Sequence, residues 1–209
     1  MRERAEGAAA SKRRMGPETS ATRTQLMDAV EAVMRGDGYA ALSARNVAAR
    51  AGLKYQIVFY YFETMDDLLL AAYRRRTRTV RAKTEAALAS PRPLHAFWEA
   101  ASDPFDAALS LEYMALSNHN PLVRAETIAF GEQIRRLVAE QLGERLSQLV
   151  PEDAAFTPFA ISLAISSIGG ILGFEAALGI EGGHSQTRAL VEWCLNRLEP
   201  NGAPAVQPG

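Results

Sequence analysis

The sequence predicts an all-α fold of about nine helices. Apolar residues recur at helical spacing along nearly the whole chain, as Leu26, Ala29, Val30, Val33 and Met34 do in the first helix. The alternating apolar runs that are typical of strands are almost absent, and glycine and proline separate the helical segments. These patterns predict helices at 19–35, 43–50, 55–61, 65–89, 93–101, 104–118, 121–149, 155–179 and 185–199.

The composition describes a globular chain with an uneven charge distribution. Its 209 residues are 48% hydrophobic, which is enough to form a sizeable core. The net charge is −1, but residues 1–83 carry +7 and residues 84–209 carry −8. A basic N-terminal part favours a polyanionic partner for that part. The single cysteine, Cys194, excludes a disulfide framework and is expected to pack in the last helix, and no secretory signal is recognisable. We therefore expect a cytoplasmic protein.

Four segments are predicted along the chain. Residues 1–18 and 200–209 are rich in charge, glycine or proline and are expected to be a disordered arm and a disordered tail. The basic run Lys12–Arg14 in the arm suits either a groove-tracking arm or a solvated tail, and we favour the tail. Residues 19–64 and 65–199 form the two domains. The run Arg74–Arg76 at the start of the second domain is expected to form a solvated face.

Residues 44–63 have the pattern of a helix-turn-helix. Two short helices flank Gly52, whose place in the turn calls for a positive φ. The apolar residues Val47, Ala51, Leu53 and Val58 are expected to be buried between the helices. In a helix-turn-helix the start of the second helix lies on base edges in the major groove. An ordinary αα-hairpin has the same spacing and remains an alternative at this point.

Over a longer stretch, Thr22–Leu70, the sequence resembles the DNA-binding domain of TetR-family transcriptional regulators. The shared features, in order, are Arg23–Ala29, Gly38-Tyr39, Leu42-Ser43, Val47-Ala48, Ala51–Leu53, Phe59–Phe62 and Asp67–Leu69. The resemblance implies that 44–50 is the supporting helix and 55–61 the recognition helix. The DNA-binding residues are then Ser43, Arg45, Lys54, Tyr55, Gln56, Tyr60 and Tyr61.

Three positions depart from the family pattern. Phe59 stands where the family most often has a tyrosine that contacts phosphate, and Met65 stands where a lysine usually does so. Tyr61 replaces a common histidine. A lost phosphate contact lowers both affinity and its salt dependence.

The resemblance also implies that the second domain binds a small effector and forms a homodimer, which would bind a palindromic operator on double-stranded DNA. An apolar lining favours a hydrophobic or amphipathic effector. The expected pocket residues are Phe97, Trp98, Tyr113, Met114, Asn118, Phe130, Gln133 and Phe174. The expected dimer interface consists of Phe159, Leu163, Ser166, Gly170, Phe174, Leu190 and Trp193.

The uncharged run Ala154–Phe174 is long enough to span a membrane. Its serines and glycines and its acidic flanks favour a buried helix at a subunit interface instead. Gly169, Gly170 and Gly173 would permit close approach of a helix of the second subunit. We therefore expect no membrane partner.

No enzyme site, metal site or cofactor site is evident. His95, His119 and His184 lie far apart in sequence without a second ligand at helical spacing. Two alternatives to a regulator remain. One is a binding protein of the same fold whose DNA-binding face is weakened, and the other is a helical enzyme that uses the cavity of the second domain.

Overall fold

The computed structural model describes residues 16–17, 19–147 and 157–200, and nine α-helices dominate this part of the chain. No strand occurs within these ranges, so the all-α prediction is confirmed. Most of the predicted arm (1–18) and tail (200–209), and the ends of two predicted helices near 148–156, lie outside the described residues. The helices are α1 (Ala21–Asp37), α2 (Ala44–Arg50), α3 (Val58–Tyr61), α4 (Met65–Leu88), α5 (Pro93–Ala101), α6 (Pro104–Ser117), α7 (Pro121–Ser147), α8 (Pro158–Ala177) and α9 (His184–Leu198).

Local capping chemistry sets the helix ends. The Ser20 hydroxyl accepts a hydrogen bond from the Thr22 N–H at the start of α1. Thr64 and Asp67 form a reciprocal capping box at the start of α4. Helix α1 runs two residues further than predicted, through Asp37, because the chain reaches the positive φ of +78° at Gly38.

The first apolar core is built mainly from the N-terminal helices. It contains buried residues of α1, α2, α3 and the first third of α4. Leu109, Tyr113 and Leu116 of α6 and Val123 of α7 complete it. The core therefore extends beyond residues 19–64, and the expected domain boundary runs through a continuous apolar cluster.

The second apolar core lies between the end of α4 and helices α5, α7, α8 and α9. Its members are Leu88, Leu94, Phe97, Trp98, Val138, Leu142, Ile165, Leu172, Val191 and Leu195. The buried Glu199 carboxylate, just beyond α9, accepts hydrogen bonds from the Leu94 N–H at 2.8 Å and the His95 N–H at 3.2 Å. A carboxylate at the start of a helix satisfies unpaired N–H groups there, so Glu199 ties α9 to α5.

Two glycines of α8 pack against other helices of the same chain. A Cβ atom on Gly169 would lie 2.9 Å from the Ala101 carbonyl carbon, and one on Gly173 would lie 2.7 Å from the Ala107 Cβ. They allow α8 to approach α5 and α6 closely. The expectation that both face a second subunit is therefore wrong, whereas a Cβ on Gly170 meets no atom within 4 Å.

Two other sequence-based expectations are also corrected. Arg74–Arg76 is not a solvated face, because Arg76 is buried and its Nη2 donates to the Ser110 hydroxyl at 3.0 Å. Arg74 pairs with Glu126 of α7. Cys194, expected to pack inside α9, is exposed.

Helix α8 is long and apolar enough to cross a membrane, judged by length and composition alone. Its most apolar window has a mean hydropathy of 1.6, and 28% of that window is buried within the chain. The remaining apolar surface includes Phe159, Leu163 and Ile171, each about half exposed. Leu190 and Trp193 of α9 are also more than half exposed. A large apolar surface of this kind indicates an interaction site.

The packing of Gly169 leads to a prediction about stability. Gly169→Ala should lower the free energy of unfolding by about 1–2 kcal/mol, because its methyl group collides with backbone that has little freedom to move. The matched control, Gly143→Ala, lies in α7 with no atom within 4 Å of its Cβ. This control should raise the free energy of unfolding by up to about 1 kcal/mol, because alanine has a higher helix propensity than glycine. Urea denaturation at one protein concentration measures both, and equal stabilities would contradict this packing.

Candidate nucleic-acid interface

The turn between α2 and the following helical segment has the geometry of a helix-turn-helix. Gly52 has a φ of +67°, as predicted. The Leu53 N–H donates to the Ala48 carbonyl at 2.8 Å, which closes the turn. Val47 and Val58 are completely buried between the helices, whereas Leu53 is partly exposed. The Gln25 amide of α1 donates to the Ala51 carbonyl at 2.7 Å and fixes the turn against α1.

The second helical segment begins as a 3-10 turn, Tyr55–Ile57, and continues as α3. Lys54, Tyr55 and Gln56 are all exposed at its start. The exposed Arg45 of α2 places its guanidinium carbon 6.0 Å from the centre of the Tyr55 ring. The structure therefore brings these four predicted DNA-binding residues onto one surface, which we call the reading surface.

The other predicted DNA-binding residues are more constrained. The Ser43 hydroxyl accepts from the Asn46 N–H at 3.1 Å and so caps α2. Tyr60 is 46% exposed, and its ring meets that of Tyr61 edge to face at a centroid distance of 4.9 Å. The Tyr61 hydroxyl accepts from the Ser20 hydroxyl at 3.0 Å. Phe62, in contrast, is buried.

Some residues that shape this region are not evident from the sequence. The backbone at Gly16 packs on Tyr60 and Tyr61, although the sequence places it in the expected disordered arm. Arg50 at the end of α2 pairs with Asp37 at 2.6 Å. The sequence offered no signal for this pair, because Asp37, the last residue of α1, meets Arg50 only after the turn is folded.

Comparison with known proteins shows which protein family this region matches. Residues 26–72 match the family model of bacterial regulatory proteins of the tetR family. The chain carries a TetR-family DNA-binding domain. No curated protein matches the chain.

Solved structures with the same fold cover most of the chain. A Rhodococcus sp. protein assigned to the TetR family is 14% identical, with a TM-score of 0.72 over 86% of this chain and 100% of that one. A Saccharomonospora viridis protein solved with choline is 19% identical, with a TM-score of 0.68 over 86% and 96%. The fatty acid degradation regulator FadR of Bacillus halodurans is 17% identical, with a TM-score of 0.58 over 90% and 100%. At these identities the likeness shows the shared fold.

Helix α6 attaches the TetR-family domain to the rest of the chain through polar contacts. The Glu112 carboxylate accepts from the Tyr39 N–H at 2.6 Å, between α1 and α2. The His119 ring stacks on the Tyr39 ring at 5.5 Å. The Asn120 amide donates to the Asp66 carboxylate at 2.7 Å, at the start of α4. The end of α6 and the residues after it thus touch the DNA-binding domain at two places, and we call these contacts the α6 joint.

Beside the α6 joint, Arg75 of α4 bridges to α1. Its guanidinium lies 2.6 Å from Asp28 and 3.3 Å from Glu31. Nearby, Tyr73 and Tyr113 pack edge to face at 4.9 Å. Burial raises the pKa of both phenols above the ordinary value, so both stay neutral at physiological pH. The Tyr113 hydroxyl is buried and has no hydrogen-bond partner among the described residues.

The predicted pocket residues do not line one cavity. Phe97 and Trp98 are buried in the second core, whereas Tyr113 is buried in the first. Met114, Asn118 and Gln133 are exposed on α6, its C-terminal turn and α7, and Phe130 and Phe174 are partly exposed. The choice of all eight residues as one pocket is thus corrected, because helical spacing alone does not tell which core a side chain enters.

An open groove of about 350 Å³ lies between α8 and the start of α9. Ser167, Ile168, Ile171, Glu175, His184 and Thr187 are among its lining residues. The His184 and Glu175 side chains lie 2.8 Å apart across it. None of the predicted pocket residues lines this groove, which adjoins the exposed apolar surface of α8. Among the residues described, no group of three or more His, Cys, Asp or Glu side chains is placed to hold a metal ion.

Proposed function

We propose that this protein is a homodimeric transcriptional regulator that represses by binding a palindromic operator and releases it when a small effector binds. The reading surface on a TetR-family domain is the observation that carries this proposal. Such a regulator acts where the DNA is, in the cytoplasm. The remaining steps concern base recognition, the dimer and the effector.

Base recognition is assigned to the start of the recognition segment. Gln56 has an exposed side chain at the point where helix-turn-helix proteins meet base edges, and glutamine pairs with adenine through two hydrogen bonds. Lys54 and Arg45 carry charge suited to phosphate or guanine. Phe59 and Met65 provide no charged phosphate contact. This favours, as a second candidate, a protein of this fold that no longer binds DNA specifically.

The dimer is assigned to the exposed faces of α8 and α9. The expected residues Phe159, Leu163, Ser166 and Gly170 recur along one face of α8 at spacings of three and four. Leu190 and Trp193 continue this apolar surface on α9. A self-complementary face of this kind suits a two-fold axis. The two recognition segments of the dimer would then lie about one turn of DNA apart, ~34–36 Å.

The effector is assigned to the apolar interior of the second domain, near Phe97 and Trp98. Pockets for small molecules are mainly apolar with a few polar groups. The fold is shared with a regulator of fatty acid degradation and with a choline-bound protein. A quaternary cation is less suited to this chain, because the Arg188 guanidinium lies 6.0 Å from the centre of the Trp98 ring. We therefore favour an apolar or amphipathic effector without positive charge.

Release of DNA follows from a shift between two helix arrangements. An effector acts only through its different affinities for them. Helix α4 contributes to both cores, and the α6 joint holds the DNA-binding domain at Tyr39 and Asp66. An effector that displaces α4 or α6 therefore moves the reading surface. This changes the distance between the two recognition segments.

We first expect specific DNA binding that depends on Gln56. Sequencing the genomic DNA fragments that the protein retains should yield a palindrome. Gln56→Ala should then lose roughly 1–3 kcal/mol of discrimination at one base pair of each half-site, because the paired hydrogen bonds are lost. If Lys54 contacts a phosphate, Lys54→Ala should weaken binding to all DNA sequences alike. It should also lower the log–log salt slope of the affinity by about 0.9. Gln141→Ala, exposed on α7, is the control. A parent dimer that retains no recurring sequence would favour the second candidate.

We next expect aspartate in the α8 and α9 faces to separate the dimer. Leu163→Asp and Leu190→Asp each place a charge in the proposed interface and should weaken dimerisation by at least about 30-fold. Ile128→Asp, also at an exposed apolar residue but on α7, should leave the dimer unchanged. Analytical ultracentrifugation measures the effect. If both variants remain dimeric, the dimer interface lies elsewhere. If the parent chain stays in solution only with detergent, α8 lies in a membrane.

The two tryptophans allow effector binding to be measured separately from dimerisation. Trp98 is buried in the second core and Trp193 is exposed on α9, so Trp193→Phe leaves Trp98 as the single fluorescent reporter. Among straight-chain fatty acids, one that changes Trp98 emission should lower operator affinity by roughly 5–150-fold over the same concentrations. Choline is the cationic comparison. Release of DNA without a change in Trp98 emission would place the effector elsewhere.

A further inference from the structure

The open groove between α8 and the start of α9, which we call the α8–α9 groove, lies beside the proposed dimer face. Its α8 wall contains Ile168, Ile171 and Glu175, which follow one another at helical spacing. Ile171 comes one residue after Gly170 of the dimer face, and one residue turns an α-helix by about 100°. The groove therefore lies on a side of α8 that the row from Phe159 to Gly170 does not include.

The connection between α8 and α9 leaves this groove open at one end. Gly179 and Gly183 have φ values of +80° and +82°, so the chain turns there before α9 begins at His184. Gly182 and Gly183 line the groove, and a Cβ atom on either would meet no atom within 4 Å. A small molecule can therefore enter past these two glycines.

The walls of the groove favour a ligand with an apolar body. Ile171 is 55% exposed and Ile168 is 36% exposed, while Leu172 beside them is buried. A molecule that covers the two isoleucines removes apolar surface from water, which favours binding. The groove volume of about 350 Å³ lies at the lower end of the range for small-molecule sites, ~300–1,000 Å³, so the body is small.

The charge inside the groove comes from Glu175. The His184 Nε2 lies 2.8 Å from one Glu175 carboxylate oxygen, and a neutral His184 ring donates its N–H to that oxygen. The second carboxylate oxygen has no hydrogen-bond partner among the described residues, and the side chain is 34% exposed. Lys and Arg are absent from the lining residues that the structure describes. With His184 neutral, the groove therefore holds one negative charge.

The surroundings of the groove do not reverse this charge. The C-terminal end of α8 and the N-terminal end of α9 meet at the groove, and the dipoles of two such helix ends have opposite signs. Residues 84–209 carry a net charge of −8, which attracts cations and repels anions at longer range. A cationic ligand is therefore complementary to this groove.

The hydrogen-bonding groups of the groove distinguish between kinds of cation. A primary ammonium group has three N–H donors, which suit the second Glu175 oxygen and the hydroxyls of Ser167 and Thr187 in the lining. A quaternary ammonium group has no donor and is held in proteins by the faces of aromatic rings. None of the lining residues described is Phe, Tyr or Trp. The lining therefore favours a primary amine over a quaternary one.

We propose that the α8–α9 groove binds a primary amine with a small apolar body. The ammonium group pairs with Glu175, and the body covers Ile168 and Ile171. This site goes beyond the proposed function, because it requires neither the reading surface nor the effector site near Trp98. The groove has a second conceivable occupant, a side chain of the partner subunit in the dimer, and the experiment separates the two.

The first measurement compares four probes that share an eight-carbon chain. Isothermal titration calorimetry of the full chain uses octylamine, octanol, octanoate and octyltrimethylammonium at about pH 8, where an alkyl amine is protonated and an ordinary imidazole is neutral. Octylamine should bind roughly 10-fold or more tightly than each of the others, because it alone donates charged hydrogen bonds to a carboxylate. Equal binding of octanol or octyltrimethylammonium would indicate adsorption to exposed apolar surface and overturn the proposal.

Two variants that remove equal charge locate the amine. Glu175→Gln keeps an oxygen that accepts from His184 but removes the charge, so octylamine affinity should fall roughly 10-fold or more. Glu181→Gln removes an exposed charge from the same connection, outside the lining residues, and should match the parent. Each methylene removed from the amine should lower parent affinity by up to about fourfold. Equal affinities of the two variants would overturn the pairing with Glu175.

The dimer variants identify the competing occupant. Octylamine should bind the parent and Leu163→Asp with similar affinity, because Leu163 does not line the groove. Binding to Leu163→Asp alone would show that the partner subunit fills the groove of the parent, and the proposal would then be wrong. Operator binding is measured separately on the parent, so a failure of DNA recognition contradicts the proposed function and leaves the amine site standing.

Discussion

The membership of α4 in both apolar cores is the constraint on which the rest of the structure depends. Leu68, Leu69 and Ala72 near its start belong to the first core, and Leu88 at its end belongs to the second. Burying a side chain of this kind contributes roughly 1.5–3 kcal/mol. A rotation of α4 within one core therefore cannot leave the other core unchanged. Close-packed interiors favour a few discrete arrangements over continuous deformation, which is what a two-state regulator needs.

Polar contacts around α4 orient the DNA-binding domain against the rest of the chain. The Arg75 pairs with Asp28 and Glu31 are partly exposed and contribute at most about 1 kcal/mol each. The bond from the Tyr39 N–H to the Glu112 carboxylate is stronger because one partner is charged. The α6 joint therefore orients the DNA-binding domain more than it stabilises the fold. Apolar burial supplies most of the stability, and a few directed bonds decide where the reading surface lies.

Local features of the fold were predictable from the sequence, because short-range chemistry decides them. Ser43 marks a helix start, and Gly52 marks a turn with positive φ, since few other residues satisfy these backbone requirements. The exposure of Lys54 and Gln56 follows from the same local pattern. Every one of these inferences depends on residues close together in the chain.

Long-range packing was not predictable in the same way. The spacing of Tyr113 and Phe97 shows that both are buried, but the choice between the two cores depends on how α4 and α6 cross. The burial of Arg76 and of Gly16 was unpredictable for the same reason, because the residues that bury them are distant in sequence. A basic run signals solvation on average. One buried arginine inside such a run is a property of the tertiary fold.

A helix that is apolar on all sides, as α8 is, can have more than one physical explanation. Gly169 and Gly173 face α5 and α6, where a side chain would collide, while Phe159 and Leu163 face outward and stay half exposed. A helix with one face against its own chain and the other against a second subunit must be apolar on both sides. A membrane span shares that composition but has no need for glycines fitted to α5 and α6. The inward glycines therefore tie α8 to its own domain, and the outward apolar face is the part that a second subunit would cover.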